Sequence, residues 1–155
     1  MIRAVIDSRV LVSYALTGEE LLSRLVDHWE RESFVHLTSA PIIEKLRRLL
    51  QHSPLRGKMV VNPAPLLRSV EVDTQHTPGE LDLEDVSGEP WAEILIASAL
   101  EEGADYVVTW DRDLLNVEQY RGIEIIKPEE FVAILDALNS QRQGTAVQDN
   151  QSIDL

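Results

Sequence analysis

The sequence predicts an α/β domain in which a parallel sheet is layered with helices. Three observations carry that expectation. Short apolar, β-prone runs recur at residues 2–6, 33–38, 105–109 and 123–126. Segments with apolar residues at helical spacing lie between them. Strands separated in this way pair in parallel through right-handed crossovers. The composition agrees: 155 residues, 44% apolar and 26% charged, describe one folded domain rather than a disordered chain.

Residues 2–6 form a mostly apolar run ending at Asp7, the mark of a buried strand. In 19–29, Leu21, Leu22, Leu25, Val26 and Trp29 recur at helical spacing. Residues 33–38, with β-prone Phe34 and Val35, read as a second strand. Thr38 or Ser39 can cap the next helix, Pro41 fits its first turn, and Ile42, Ile43, Leu46, Leu49 and Leu50 share one face. Residues 51–65 are punctuated by Pro54, Gly57, Pro63 and Pro65 and read as a loop or broken helix. Residues 69–73 alternate like a short strand, and the acidic stretch 74–88 reads as a surface loop. Residues 90–102 predict a helix closed by Gly103, and 128–138 another, begun by Pro128. The expected domain is therefore 1–138, followed by a flexible polar tail, 139–155.

The absence of cysteine removes disulfides, thiolate metal sites and a cysteine nucleophile. The N-terminus, with Arg3 and Asp7 in its first residues, does not have the form of a secretion signal. No run approaches the ~18 apolar residues of a membrane span, so the cytoplasm is the expected compartment and no membrane the expected partner. Charge is lopsided: 27 acids against 14 Lys plus Arg give a net charge of −13. Spread evenly, that charge would repel nucleic acid. It is not even. Lys45, Arg47, Arg48, Arg56 and Lys58 fall within fourteen positions, whereas no Lys or Arg lies between Arg68 and Arg112.

In open parallel sheets the functional crevice lies beyond the carboxyl ends of the strands. Asp7 follows the first strand, Glu44 lies one turn into the helix after the second, Glu89 opens the helix at Pro90, and Asp111 and Asp113 follow the strand 105–109. Each has a structural reading: Asp7 as a helix cap, Glu44 as an i,i+4 partner of Arg48, Glu89 as an acid favoured at a helix start, Asp111 and Asp113 as a turn and cap. Their conjunction points instead to a hard divalent cation, which oxygen ligands hold and which lowers the pKa of bound water. The four histidines lack metal-type spacing, and Trp91 and Trp110 read as core or rim.

The strings IDSRVLVSYAL, LTSAPIIEKLRRLL and GADYVVTWDRDLLNVEQYRGIEIIKPEEFVAIL together resemble the PIN domain, in the style of VapC-like toxin components of toxin–antitoxin systems. The likeness spans roughly residues 1–136 and is most specific in the third string. It implies a PIN-like three-layer domain with a parallel central sheet of about five strands flanked by helices. It also implies a metal-dependent endoribonuclease acting on single-stranded RNA with Mg²⁺ or Mn²⁺, homodimerisation and a cognate antitoxin. Carried over by position, Asp7, Glu44, Glu89, Asp111 and Asp113 become the catalytic acids, with Asp7, Glu89 and Asp111 holding the metal. Asp85 and Glu93 compete with Glu89 for the third place. Ser8, Arg9, Lys45, Arg47 and Arg48 become the RNA contacts.

Two departures from the family pattern bear on activity. Arg9 stands where the family has an amide, and a guanidinium beside Asp7 can take the cation's place or contact a substrate phosphate. Glu89 stands where an Asp is usual, and Mg²⁺ tolerates little change from about 2.1 Å. The alternative expectation is therefore a weakened or inactive PIN domain serving as a binding module, with Arg9 filling the cation site. A phosphoacceptor receiver domain fits less well, because Asp7 lacks the neighbouring acid pair that fold needs.

Overall fold

β1 (Arg3–Ile6) runs down the middle of a six-stranded sheet. The structure, a computed structural model, describes residues 1–80 and 90–153. After β1 come α1 (Ser8–Thr17), α2 (Glu20–Glu30), β2 (Val35–Ser39), α3 (Ala40–Gln51), the one-turn α4 (Ser53–Arg56), α5 (Pro63–Val72) and β3 (Gln75–Thr77). Beyond residue 89 follow α6 (Pro90–Glu101), β4 (Tyr106–Val108), α7 (Arg112–Val117), β5 (Gln119–Tyr120), β6 (Ile123–Ile126) and α8 (Pro128–Ile153). The strand order is β3-β2-β1-β4-β6-β5, parallel throughout except for the antiparallel β5–β6 edge.

The α/β class with a mostly parallel sheet is as the sequence predicts. Alternation in β1 explains the layers. Ala4 and Ile6 pack into one core with residues of α1, α2, α5 and α8, while Val5 faces the other core with residues of α6 and α7. Each fully buried Leu or Ile contributes roughly 1.5–3 kcal/mol by leaving water. Leu22, Leu46, Leu95, Ile96 and Leu114 are all at most 0% exposed, so the sheet is sealed on both faces.

Four details differ from the sequence expectations. Residues 69–73 belong mainly to α5, not to a strand. Asn62 accepts a hydrogen bond from the Ala64 N–H at 3.1 Å, Pro63 occupies the first helical position, and Leu66 and Val70 are buried one turn apart. The third strand is β3, three residues inside the stretch read as loop, and β5 adds a sixth strand. The segment 8–17, which carries no helical assignment beyond Asp7's capping role, is α1. The polar segment expected as a tail is helical in α8 as far as residue 153. No described helix is long and apolar enough to cross a membrane.

The sheet places the site. From β1 the chain moves outward to β2 on one side and returns to β4 on the other. The carboxyl ends of β1 and β4 therefore flank the point where the winding reverses, where such sheets open a crevice.

Candidate functional site

Asp7 follows β1 and is 1% exposed. A buried carboxylate is tolerated only when its lone pairs are taken up. Here they are. Oδ1 accepts from the Arg9 backbone N–H at 3.0 Å, which caps α1, and from Trp91 Nε1 at 3.2 Å. Oδ2 accepts from the Thr109 hydroxyl at 2.8 Å and from Arg9 Nη2 at 2.8 Å. Arg9 Nε lies 3.3 and 3.2 Å from the two oxygens. Thr109 is in turn fixed by the Asp111 N–H, which donates to its Oγ1 at 3.0 Å.

Asp111 N-caps α7: its Oδ1 accepts from the Leu114 N–H at 3.0 Å. Its Oδ2 accepts from Arg9 Nη2 at 3.2 Å. One guanidinium nitrogen thus bridges the two acids that end neighbouring strands. Partial burial, the largest influence on Asp111, pushes its carboxyl up. The Leu114 N–H, Arg9 and the Asp113 N–H together outweigh burial and hold it below the usual carboxylate range. Burial likewise works to lower Arg9, but Asp7 and then Asp111 raise it above its ordinary value.

The other expected residues are disposed differently. Ser8 is fully buried and donates to the Ile42 carbonyl at 2.8 Å, tying α1 to α3. Glu44 is exposed and accepts from Arg47 at 2.6 Å, and Arg47 also donates to Glu71 at 2.8 Å. Arg47 is therefore held between two acids. Asp113 is exposed in the first turn of α7, and Glu93 is half-buried in the first turn of α6. Glu89 and Asp85 lie outside the described residues.

A groove of about 620 Å³ beside this site is lined by Glu44, Lys45, Arg48 and His52 on one wall and by Trp91 and Ile94 on the other. The Lys45 ammonium sits 4.0 Å from the centroid of the Trp91 ring. Trp91 therefore joins the basic wall of the groove to Asp7 through a single side chain. Neither Trp91 nor Thr109 was among the expected site residues. Thr109 carries a signal in hindsight, since it starts the T-x-D string, but nothing in the sequence shows that the Trp91 indole donates to an acid.

The fit to a divalent ion can be tested on the donor set. Both Asp7 oxygens are engaged by N–H and O–H donors, and the Asp111 oxygen not used in capping is engaged by Arg9. Among the described residues no three acids or histidines are disposed to hold a metal. Among the described residues, the side chains as arranged fit a guanidinium rather than a divalent cation.

A family model described as a PIN domain matches residues 3–113. Among solved structures, the crystal structure of PAE2754 from Pyrobaculum aerophilum superposes with a TM-score of 0.56 at 20% identity, covering 88% of this chain and 90% of that one. At that identity the likeness is one of fold. No curated protein matches the chain.

Proposed function

Given that the chain belongs to the PIN domain family, a family of nucleases, we propose that it binds single-stranded RNA at the β1–β4 crevice and that Arg9 holds metal-dependent hydrolysis down. One observation carries this: the Arg9 guanidinium lies 2.8 Å from Asp7 and 3.2 Å from Asp111, where a cation shared by the two acids would sit. A guanidinium is permanently charged and cannot activate water as a metal does. It can bind phosphate. Its Nε and Nη2 serve the acids, and the side chain as a whole is 43% exposed, which leaves it accessible to a phosphate.

The neighbouring groove supplies the rest. Lys45 and Arg48 place positive charge along α3, and Trp91 and Pro90 form the facing wall. A strongly acidic protein so equipped binds RNA through this local patch, and its affinity falls steeply with salt. Arg47 contributes less, because Glu44 and Glu71 already occupy it.

A second reading, the active Mg²⁺- or Mn²⁺-dependent endoribonuclease, is favoured by the same 43% exposure. A side chain so open can swing away and leave Asp7 and Asp111 to a metal. Fluorescence anisotropy and gel analysis with a labelled single-stranded oligoribonucleotide separate the two. The proposal expects RNA binding without Mn²⁺, negligible cleavage with it, weaker binding and a shallower salt slope in Lys45→Ala and Arg48→Ala, and cleavage gained in Arg9→Asn. Prompt Mn²⁺-dependent cleavage by the unaltered protein, lost in Asp7→Asn, establishes the second reading instead. Failure to bind RNA at all overturns both.

A further inference from the structure

The cations of α3 are held in different ways. Arg47 is ordered by Glu44 and Glu71, which also cancel its charge. Arg48 stands exposed on the wall of the groove. Lys45 lines the same groove with its ammonium 4.0 Å from the centroid of the Trp91 ring. An aromatic face orders a cation without cancelling its charge, because the ring carries no net charge. Ordering in advance also removes part of the entropy that a long side chain loses on meeting a phosphate.

The ring is itself held. Trp91 is the second residue of α6 and is partly buried against the core that contains Leu95 and Ile96. Its Nε1–H donates to Asp7 Oδ1 at 3.2 Å, and Asp7 is fixed in turn by Thr109 and Arg9. The indole thus has an anion at its N–H edge and a cation over its face. Both polarise it in the same sense, so each contact strengthens the other.

On the reading that this groove binds single-stranded RNA, we infer that Trp91 is its positioning residue. Anchored to Asp7, the indole presents the still-charged Lys45 ammonium to the RNA backbone. An ammonium carries three N–H donors, so it can keep the ring contact while donating to a phosphate.

Fluorescence anisotropy of the full chain with a labelled single-stranded oligoribonucleotide, over a series of salt concentrations, tests this. Lys45→Ala removes a contact, so the plot of log affinity against log salt should flatten by about 0.7, the share of one phosphate on a single strand. Trp91→Leu removes only the prior ordering, so affinity should fall about threefold with the salt slope unchanged. The double variant should bind no more weakly than Lys45→Ala, because the ring then has no cation to place. Trp91→Phe, which keeps an aromatic face, should recover most of the loss. Where Trp91→Leu does not fold, NMR of the unaltered protein decides: the Lys45 ε-methylene resonance should lie upfield, under the ring, and should shift as RNA is added. Unchanged affinity in Trp91→Leu, a salt slope flattened as in Lys45→Ala, fully additive losses in the double variant, or a Lys45 resonance that RNA leaves unmoved overturns the inference and leaves the RNA reading standing. No RNA binding by the unaltered chain overturns that reading and the inference with it.

Discussion

The two ends of the sheet solve the burial of polar groups in opposite ways. At the carboxyl end every oxygen of Asp7 and Asp111 has a donor, and Arg9 neutralises both acids at once. At the amino end His36 is equally buried, yet its Nδ1 has no partner and a large cavity adjoins it. The first site is satisfied by the protein itself, so a ligand there has to displace Arg9 or add to it. The second is left unsatisfied, with the imidazole nitrogen sealed inside the fold. A conspicuous acidic site is thus not necessarily the emptier one.

The comparison breaks most violently at Asp7. Asp7→Ala leaves the Trp91 N–H, the Thr109 hydroxyl and the Arg9 backbone N–H without an acceptor and Arg9 without its closer partner. It should lower stability by about 3 kcal/mol, read by urea denaturation. A loss below about 1 kcal/mol would mean that the network is dispensable.

The unsatisfied end shows itself in pH. The folded pKa of His36, about 3, lies below its ordinary 6.5. Between those values the unfolded chain binds the extra proton, so stability is full above pH 6.5 and declines as the pH falls toward 3. From pH 6.5 to 5 the decline should be about 2 kcal/mol, since one unit corresponds to about 1.4 kcal/mol. It should vanish in His36→Phe, and a parallel decline in that variant would assign the effect to other groups.

Smaller effects sharpen the contrast. Asp111 is held below the usual range, so its contribution is present at neutral pH and lost as the pH falls through its folded value. In Arg9→Asn its carboxyl resonance should titrate at a higher pH than in the unaltered protein, followed by NMR. Glu44→Gln should leave the thermal midpoint unmoved, because its pairing with Arg47 is exposed and screened. A clear shift would tie Glu44 to the buried network.

Much of this was legible in the residues. Asp7 and Asp111 are readable because each follows an apolar run that only a buried strand explains, and a parallel sheet brings such ends together. The helices α2, α3 and α6 announce themselves by apolar spacing. What was not legible depends on contacts distant in sequence. β3 is three polar residues long, two of them exposed, and pairs with β2. α5 hides behind Pro63 and Pro65, turn signals that turn out to lie in its first turn. Trp91 reaches Asp7 across 84 positions, a distance no local pattern encodes. The amino-end cavity is composed of side chains from α1, α2, β2 and α5, each of which reads alone as ordinary core or surface.

Calorimetric titration of Mn²⁺ into the unaltered protein, Arg9→Asn and the double variant Arg9→Asn/Asp7→Asn tests most directly whether Arg9 is the resident cation. Saturable one-site binding should emerge only in Arg9→Asn and disappear when Asp7 is also changed. Equally tight one-site binding by the unaltered protein would contradict the assignment.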